Sequence, residues 1–275
     1  MQDMKMKSAM TLDRVLSRFG LASRAMAGEW IRTGRVKVNG RVVRDPDVWV
    51  RPEEDSFHLD GKRVKQARKL YLLFYKPKGV ITSHGDPGAR NTVYDCLDKS
   101  LPWVTPVGRL DRDTSGLLLL TNDTDFANFI SDPASGTAKT YLVKLNGIIS
   151  DETIAAFSSG VRMKKGDWAR PRSVRRVVDR GKYSRLEVVL QEGKNREVRR
   201  MMEAVGFKVL KLVRTGIGPL TLEGLEIGKY RSLTRAEVAA LRQPGIRRQE
   251  SGDRNKSEHE NQQACQESDP GTSSS

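Results

Sequence analysis

Two aspartates and two arginines are crowded into one short stretch. Arg109, Asp111, Arg112 and Asp113 all fall within P-V-G-R-L-D-R-D-T-S-G-L-L-L-L-T-N-D, residues 106–123. A carboxylate beside a guanidinium stays ionised at neutral pH and can serve as nucleophile or base. The same run also fits two loop carboxylates paired with neighbouring arginines. Residues 113–116, D-T-S-G, match the tetrapeptide of aspartic proteases, whose shared proton needs a second such loop, and the chain has no second copy. Ser115 lacks a G-x-S-x-G frame. Histidines 58, 84 and 259 are scattered, and Cys96 and Cys265 have no metal-ligand spacing, so neither zinc nor a disulfide framework is expected. Gly216 and Gly218 complete no dinucleotide fingerprint. Two further groups carry possible chemistry. Tyr141 lies in K-T-Y-L-V, and Arg196, Arg199 and Arg200 lie in N-R-E-V-R-R-M.

The elements around these residues follow from pattern. Residues 117–120 are four consecutive leucines ending at a Thr-Asn-Asp turn, which predicts a strand buried on both faces, with the Asp111 loop on its rigid edge. L-Y-L-L-F-Y (70–75) predicts another buried strand, turning at residues 76–79. In residues 139–145, Tyr141, Val143 and Leu145 share one strand face. Residues 168–176 read as a basic, irregular stretch, and 184–190 as a strand. Asn195 is expected to cap a helix that buries Val198, Met201, Met202 and Val205 and stops at Gly206. Residues 207–214 alternate as a strand, and residues 234–242 form a closing helix. Strands without regular βαβ alternation predict an α+β fold with a mixed, mostly antiparallel sheet rather than a doubly wound one.

Charge points to the partner. The chain has 275 residues, with 49 Lys and Arg against 34 Asp and Glu, a net charge of +15. Such an excess favours a polyanion. No apolar run approaches membrane-spanning length, and the first ten residues lack an apolar signal core, so a cytoplasmic protein is expected. Beyond residue 246 the sequence is polar and acidic, and a disordered tail is expected. Residues 12–44 concentrate eight cations (Arg14, Arg18, Arg24, Arg32, Arg35, Lys37, Arg41 and Arg44) against Asp13 and Glu29 alone. The periodicity there predicts a helix carrying Leu12, Val15, Leu16 and Phe19, then a helix capped by Ser23 that carries Ala27, Trp30 and Ile31. A hairpin follows, turning at Asn39-Gly40.

These N-terminal residues, L-D-R-V-L-S-R-F-G-L-A-S-R and I-R-T-G-R-V-K-V-N-G, resemble the S4-type RNA-binding domain. The resemblance implies a surface that grips structured RNA through its phosphates. G-R-L-D-R-D-T-S-G-L-L-L-L-T-N-D, Y-K-P-K-G-V, K-T-Y-L-V and N-R-E-V-R-R-M together resemble the motifs of bacterial pseudouridine synthases. With the S4-type unit they resemble the RsuA-type branch that modifies ribosomal RNA. What the resemblance implies is carried over residue by residue. Asp111 is the catalytic carboxylate, and Asp113 is only its neighbour. Tyr141 packs on the flipped uracil, Arg199 is the ion-pair partner of the aspartate, and Arg109 is an RNA contact. Arg14, Arg18, Arg24, Arg32, Arg35, Lys37, Arg41, Arg196 and Arg200 are expected RNA ligands. Asn195-Arg196-Glu197 stands where some relatives have His-Gln before Val-Arg, which bears on substrate choice.

The organisation expected is a leader (1–10), an S4-like domain (11–58), a basic linker (59–69), a catalytic domain (70–245) and a tail (246–275). The expected function is conversion of one uridine of ribosomal RNA to pseudouridine, with 23S preferred over 16S. The enzyme is expected to be monomeric and free of metal or other cofactor, acting on rRNA or a pre-ribosomal particle. Attack by Asp111 on the sugar, attack on the base and removal of a ribose proton all remain open. The competing reading is a non-catalytic ribosome assembly factor that binds rRNA.

Overall fold

In a computed structural model of the chain, residues 9–83, 88, 90–164 and 166–243 are described. His84, Cys265, His259, the expected leader up to residue 8 and the expected tail lie outside them.

The N-terminal unit is built as its pattern requires. β1 (Met10–Thr11) leads into α1 (Leu12–Arg18), and the i, i+3, i+4, i+7 stripe of Leu12, Val15, Leu16 and Phe19 is buried. The Ser23 hydroxyl accepts from the Met26 amide at 3.2 Å and starts α2 (Arg24–Arg32). β2 (Val36–Val38) and β3 (Arg41–Val42) form the hairpin, with positive φ at both Asn39 (49°) and Gly40 (81°), as a type I′ turn needs. β4 (Trp49–Val50) pairs with β1. β5 (Phe57–Leu59) and β6 (Lys62–Val64) make a second hairpin around Asp60-Gly61, and the sheet runs β3-β2-β5-β6. This sheet therefore extends to Val64, past the expected boundary at residue 58. Asp-Gly is a strong turn signal, but the strands flanking it are only three residues long, and two of the three residues in β6 are charged.

The larger unit is a nine-stranded sheet. Its strands are β7 (Tyr71–Lys76), β8 (Thr105–Val107), β9 (Ser115–Thr121), β10 (Lys139–Leu145), β13 (Ser173–Arg180), β14 (Tyr183–Leu190), β15 (Val209–Ile217), β16 (Leu220–Thr221) and β17 (Tyr230–Ser232), while β11 (Val161–Arg162) and β12 (Trp168–Ala169) pair separately. Its main order is β13-β14-β10-β15-β9-β7-β17, and the pair β15–β9 is parallel while every other pair is antiparallel. The helices are α3 (Thr124–Ser131), α4 (Asp151–Ser159), α5 (Glu197–Ala204) and α6 (Arg235–Leu241). Leu117–Leu120 are buried on both faces, as their unbroken run predicts. Residues 173–176, expected to be irregular, instead open the edge strand β13. Most of its side chains are exposed and its register shifts between Arg176 and Val178, which erases any clear alternation.

Three apolar clusters hold the sheet. On one face, α4 and α5 cover β10, β14 and β15 through Phe157, Val198, Met201 and Met202. On that face a second cluster joins Leu118 and Leu120 to Val80, Val93 and Leu110. On the other face, α3 and α6 cover β7 and β9 through Phe126, Ile130 and Leu241.

Candidate active site

The site begins at one row of residues across four strands. Tyr141 on β10 pairs with Arg214 on β15, Arg214 pairs with Gly116 on β9, and Gly116 pairs with Lys76 on β7. This row crosses the gap between the two front clusters, and the Asp111 loop enters β9 beside it. Gly116 has φ +119°, and a Cβ there would meet the Arg214 carbonyl oxygen at 2.3 Å, so the backbones of β9 and β15 touch where the loop ends.

Every carbonyl of the loop from Leu110 to Thr114 accepts a hydrogen bond. The Thr82 hydroxyl donates to Leu110 O at 2.9 Å, and the Gly79 amide donates to Arg112 O at 2.7 Å. The Lys76 ammonium donates to Pro77 O (3.1 Å), Asp111 O (3.2 Å) and Thr114 O (2.9 Å), and Arg199 Nη2 donates to Asp113 O at 3.1 Å. The Thr114 amide also donates to Asp111 O at 3.1 Å. The main chain on either side of Asp111 is thereby fixed while its side chain stays partly exposed.

Lys76 is completely buried, yet it faces only carbonyl oxygens at bonding distance. Burial pushes its pKa down from 10.5 to about 8, against the pull of Asp111 and Asp113. A protonated amine is what three carbonyls select.

The Asp111 side chain is 31% exposed, and Arg196 Nη1 stands 3.7 Å from its Oδ2. The expected direct ion pair with Arg199 is therefore replaced by one with Arg196. Arg199 is buried on the inner side of α5, where Nη1 donates to Val209 O at 3.2 Å and Nη2 holds the loop. Burial lowers its pKa and Arg196 adds to that, while Asp111 and Asp113 oppose both. Arg196 takes the outer role because the Asn195 cap does not form. Arg196 itself occupies the cap position with φ 48°, and the Glu197 carboxylate accepts from the Lys194 amide at 3.0 Å.

Tyr141 is 8% exposed, on the α5 side of the sheet with Val143 and Leu145. Arg109 is exposed, as is Arg112, whose Nε reaches Gly79 O at 3.3 Å. Arg200 is ion-paired with Asp167. In the N-terminal unit, three expected RNA ligands are engaged within the protein: Arg24 with Asp13 (2.8 Å), Arg35 with Asp60 (2.7 Å) and Arg18 with Asp125 (3.6 Å). Arg14, Arg32, Lys37 and Arg41 project from that unit; Arg18 is half-buried.

Sequence reasoning missed Lys76, Thr82 and Arg214. Lys76 stands inside Y-K-P-K-G-V, where its neighbours make it read as part of a turn. Arg214 is 3% exposed, its Nε donates to Leu117 O at 2.7 Å, and its Nη2 is without a partner among the described residues.

Residues 70–204 match the family described as RNA pseudouridylate synthase, and residues 10–56 match the S4 domain. The chain is 41% identical over 232 residues to the ribosomal large subunit pseudouridine synthase B of Bacillus subtilis, covering 84% of this chain and 95% of that one. It is 34% identical over 235 residues to the ribosomal small subunit pseudouridine synthase A of Escherichia coli, covering 84% of this chain and all of the other. A crystal structure of a pseudouridylate synthase superposes with a TM-score of 0.59 at 30% identity, over 84% of this chain and 99% of that one.

Proposed function

The chain belongs to the RNA pseudouridylate synthase family, and on that premise we propose that it converts one uridine of ribosomal RNA to pseudouridine with Asp111 as its single catalytic carboxylate. The observation that carries the assignment is the fixed loop: the backbone around Asp111 is bonded at every carbonyl, while the carboxylate stays accessible beside Arg196. Isomerisation breaks the N-glycosidic bond, turns the ring and rejoins it through carbon, with no net gain or loss of atoms or electrons. An ionised carboxylate held in place suits each of the three routes, by the sugar, the base or a ribose proton. Tyr141 is assigned to stack on the everted uracil and Arg109 to hold flanking RNA. Arg196 sets a guanidinium beside the Asp111 carboxylate, and Arg199 holds the loop that presents it.

Large-subunit RNA is the preferred substrate. The N-R-E-V-R-R variant supports it, as does the higher identity to the relative named for the large subunit. Residues 11–64 would dock on the RNA, free or in a pre-ribosomal particle, and the unit from residue 70 would carry the chemistry. On this reading the protein would act in the cytoplasm as a monomer. No helix among the described residues is long and apolar enough to cross a membrane.

Deleting the gene should remove one pseudouridine from 23S rRNA, read by pseudouridine mapping. Asp111→Asn should fail to restore it while binding rRNA within about threefold of wild type. Restoration by Asp111→Asn would remove the carboxylate from the mechanism.

A further inference from the structure

The sheet is covered unequally. α4 and α5 fill the front of β10, β14 and β15, whereas α3 and α6 cover the back of β7 and β9 and reach β15 at Ile217. Toward the other end of β15, past the buried Val213, one cross-strand row of cations lies on that back face, with Lys211 exposed and Lys144 and Arg185 half-buried. Lys211 pairs with Lys144, and Lys144 pairs with Arg185. Like charges directly opposite one another weaken a sheet, so this row opposes folding rather than aiding it.

Nearby acids do not neutralise it. Glu187 pairs with Arg175 at 3.5 Å, and Asp179 is taken by Arg176 and the Ser184 hydroxyl. Instead, two of the cations share one aromatic ring: Lys144 Nζ is 3.8 Å and Arg185 Cζ is 5.7 Å from the Tyr183 centroid. The row spans about 10 Å, two strand spacings.

We propose that this back face, Lys211, Lys144 and Arg185 around Tyr183, binds the phosphate backbone of the substrate RNA, on the side of the sheet opposite the Asp111 site. The inference rests on the proposed activity for the identity of the polyanion. A strand of phosphates relieves the like-charge row, and Tyr183 holds two of its cations together at one place.

The test measures affinity for deproteinised rRNA, prepared from cells lacking this protein, as a function of salt. All proteins in the binding measurement carry Asp111→Asn, so that turnover is absent. Adding Lys144→Gln, Arg185→Gln and Lys211→Gln should weaken binding at least tenfold at low salt. It should also cut the slope of log affinity against log salt by roughly 2, since each phosphate no longer neutralised removes about 0.7–0.9. Lys211→Gln alone, at the most exposed position, should lower the slope by about 0.8 with no fall in unfolding midpoint, which separates weaker binding from weaker folding. Unchanged slope and affinity in the folded variants would overturn the proposal. Failure of wild type to form pseudouridine in the same RNA would overturn the activity instead, and the slopes would still decide the back face.

Discussion

Lys76 places an ammonium where water does not reach, and its charge sustains the loop. Its pKa of about 8 in the folded chain, against 10.5 when unperturbed, separates activity from stability at alkaline pH. Between those two values the unfolded chain binds the proton and the folded chain does not, so this group's contribution to stability rises with pH across the window. Over the same range the loop carbonyls lose a charged donor. Turnover should therefore fall with an apparent pKa near 8 while urea unfolding shows no loss of stability from this group. Lys76→Met should remove that alkaline limb and lower turnover by roughly 10- to 100-fold through a loosened loop, with the fold intact by circular dichroism. Asp111 and Tyr141 were legible as candidates from motif resemblance. Lys76 was hidden because a lysine beside proline and glycine reads as a solvated turn, and only strand pairing brings its tip under the loop.

Among the elements, the parallel contact of β9 with β15 sets the frame. A methyl group at position 116 would drive into the Arg214 main chain, at a φ that alanine disfavours. Gly116→Ala should destabilise the protein by more than about 2 kcal/mol in urea titration and weaken turnover even where folded, because the strand ends and the loop move together. Leu117–Leu120 announced β9 plainly, since four leucines between turn signals have few other uses. The exposed edge β13 offered no such signal. The start of α5 defies its sequence for a related reason: Asn195 is a good cap by type, but the left-handed Arg196 and the Glu197 carboxylate turn the chain before it can act as one.

At the scale of the molecule, the two units meet at the Thr-Asn-Asp turn that closes β9. Asn122 accepts from the Leu70 amide at 2.8 Å and donates to Arg68 O at 3.0 Å, while the Trp103 amide bonds Gly20 O and the Ala67 amide bonds Phe19 O, each at 2.9 Å. Asp123 beside it gathers Lys69 (2.9 Å), the Tyr71 hydroxyl (2.7 Å) and Arg242 (2.9 Å) around a buried carboxylate. Asn122→Ala should cost about 1–2 kcal/mol of stability in chemical denaturation. It should also raise the half-saturating rRNA concentration severalfold more than it lowers turnover, because the N-terminal unit loses its fixed bearing. The two-unit plan was readable from charge clustering and the change of pattern near residue 70. The angle between the units was not, since it depends on backbone amides and carbonyls that every residue carries alike.

The saturated carbonyls around Asp111 settle which partner must yield when enzyme and nucleic acid meet. A peptide with all its acceptors already occupied has little room to reshape itself around an incoming nucleotide, so the deformation falls on the RNA. In the proposed reaction, discrimination then depends on how readily each uridine swings free of its helix, and a stiff protein would act as a gauge of local weakness in a folded transcript.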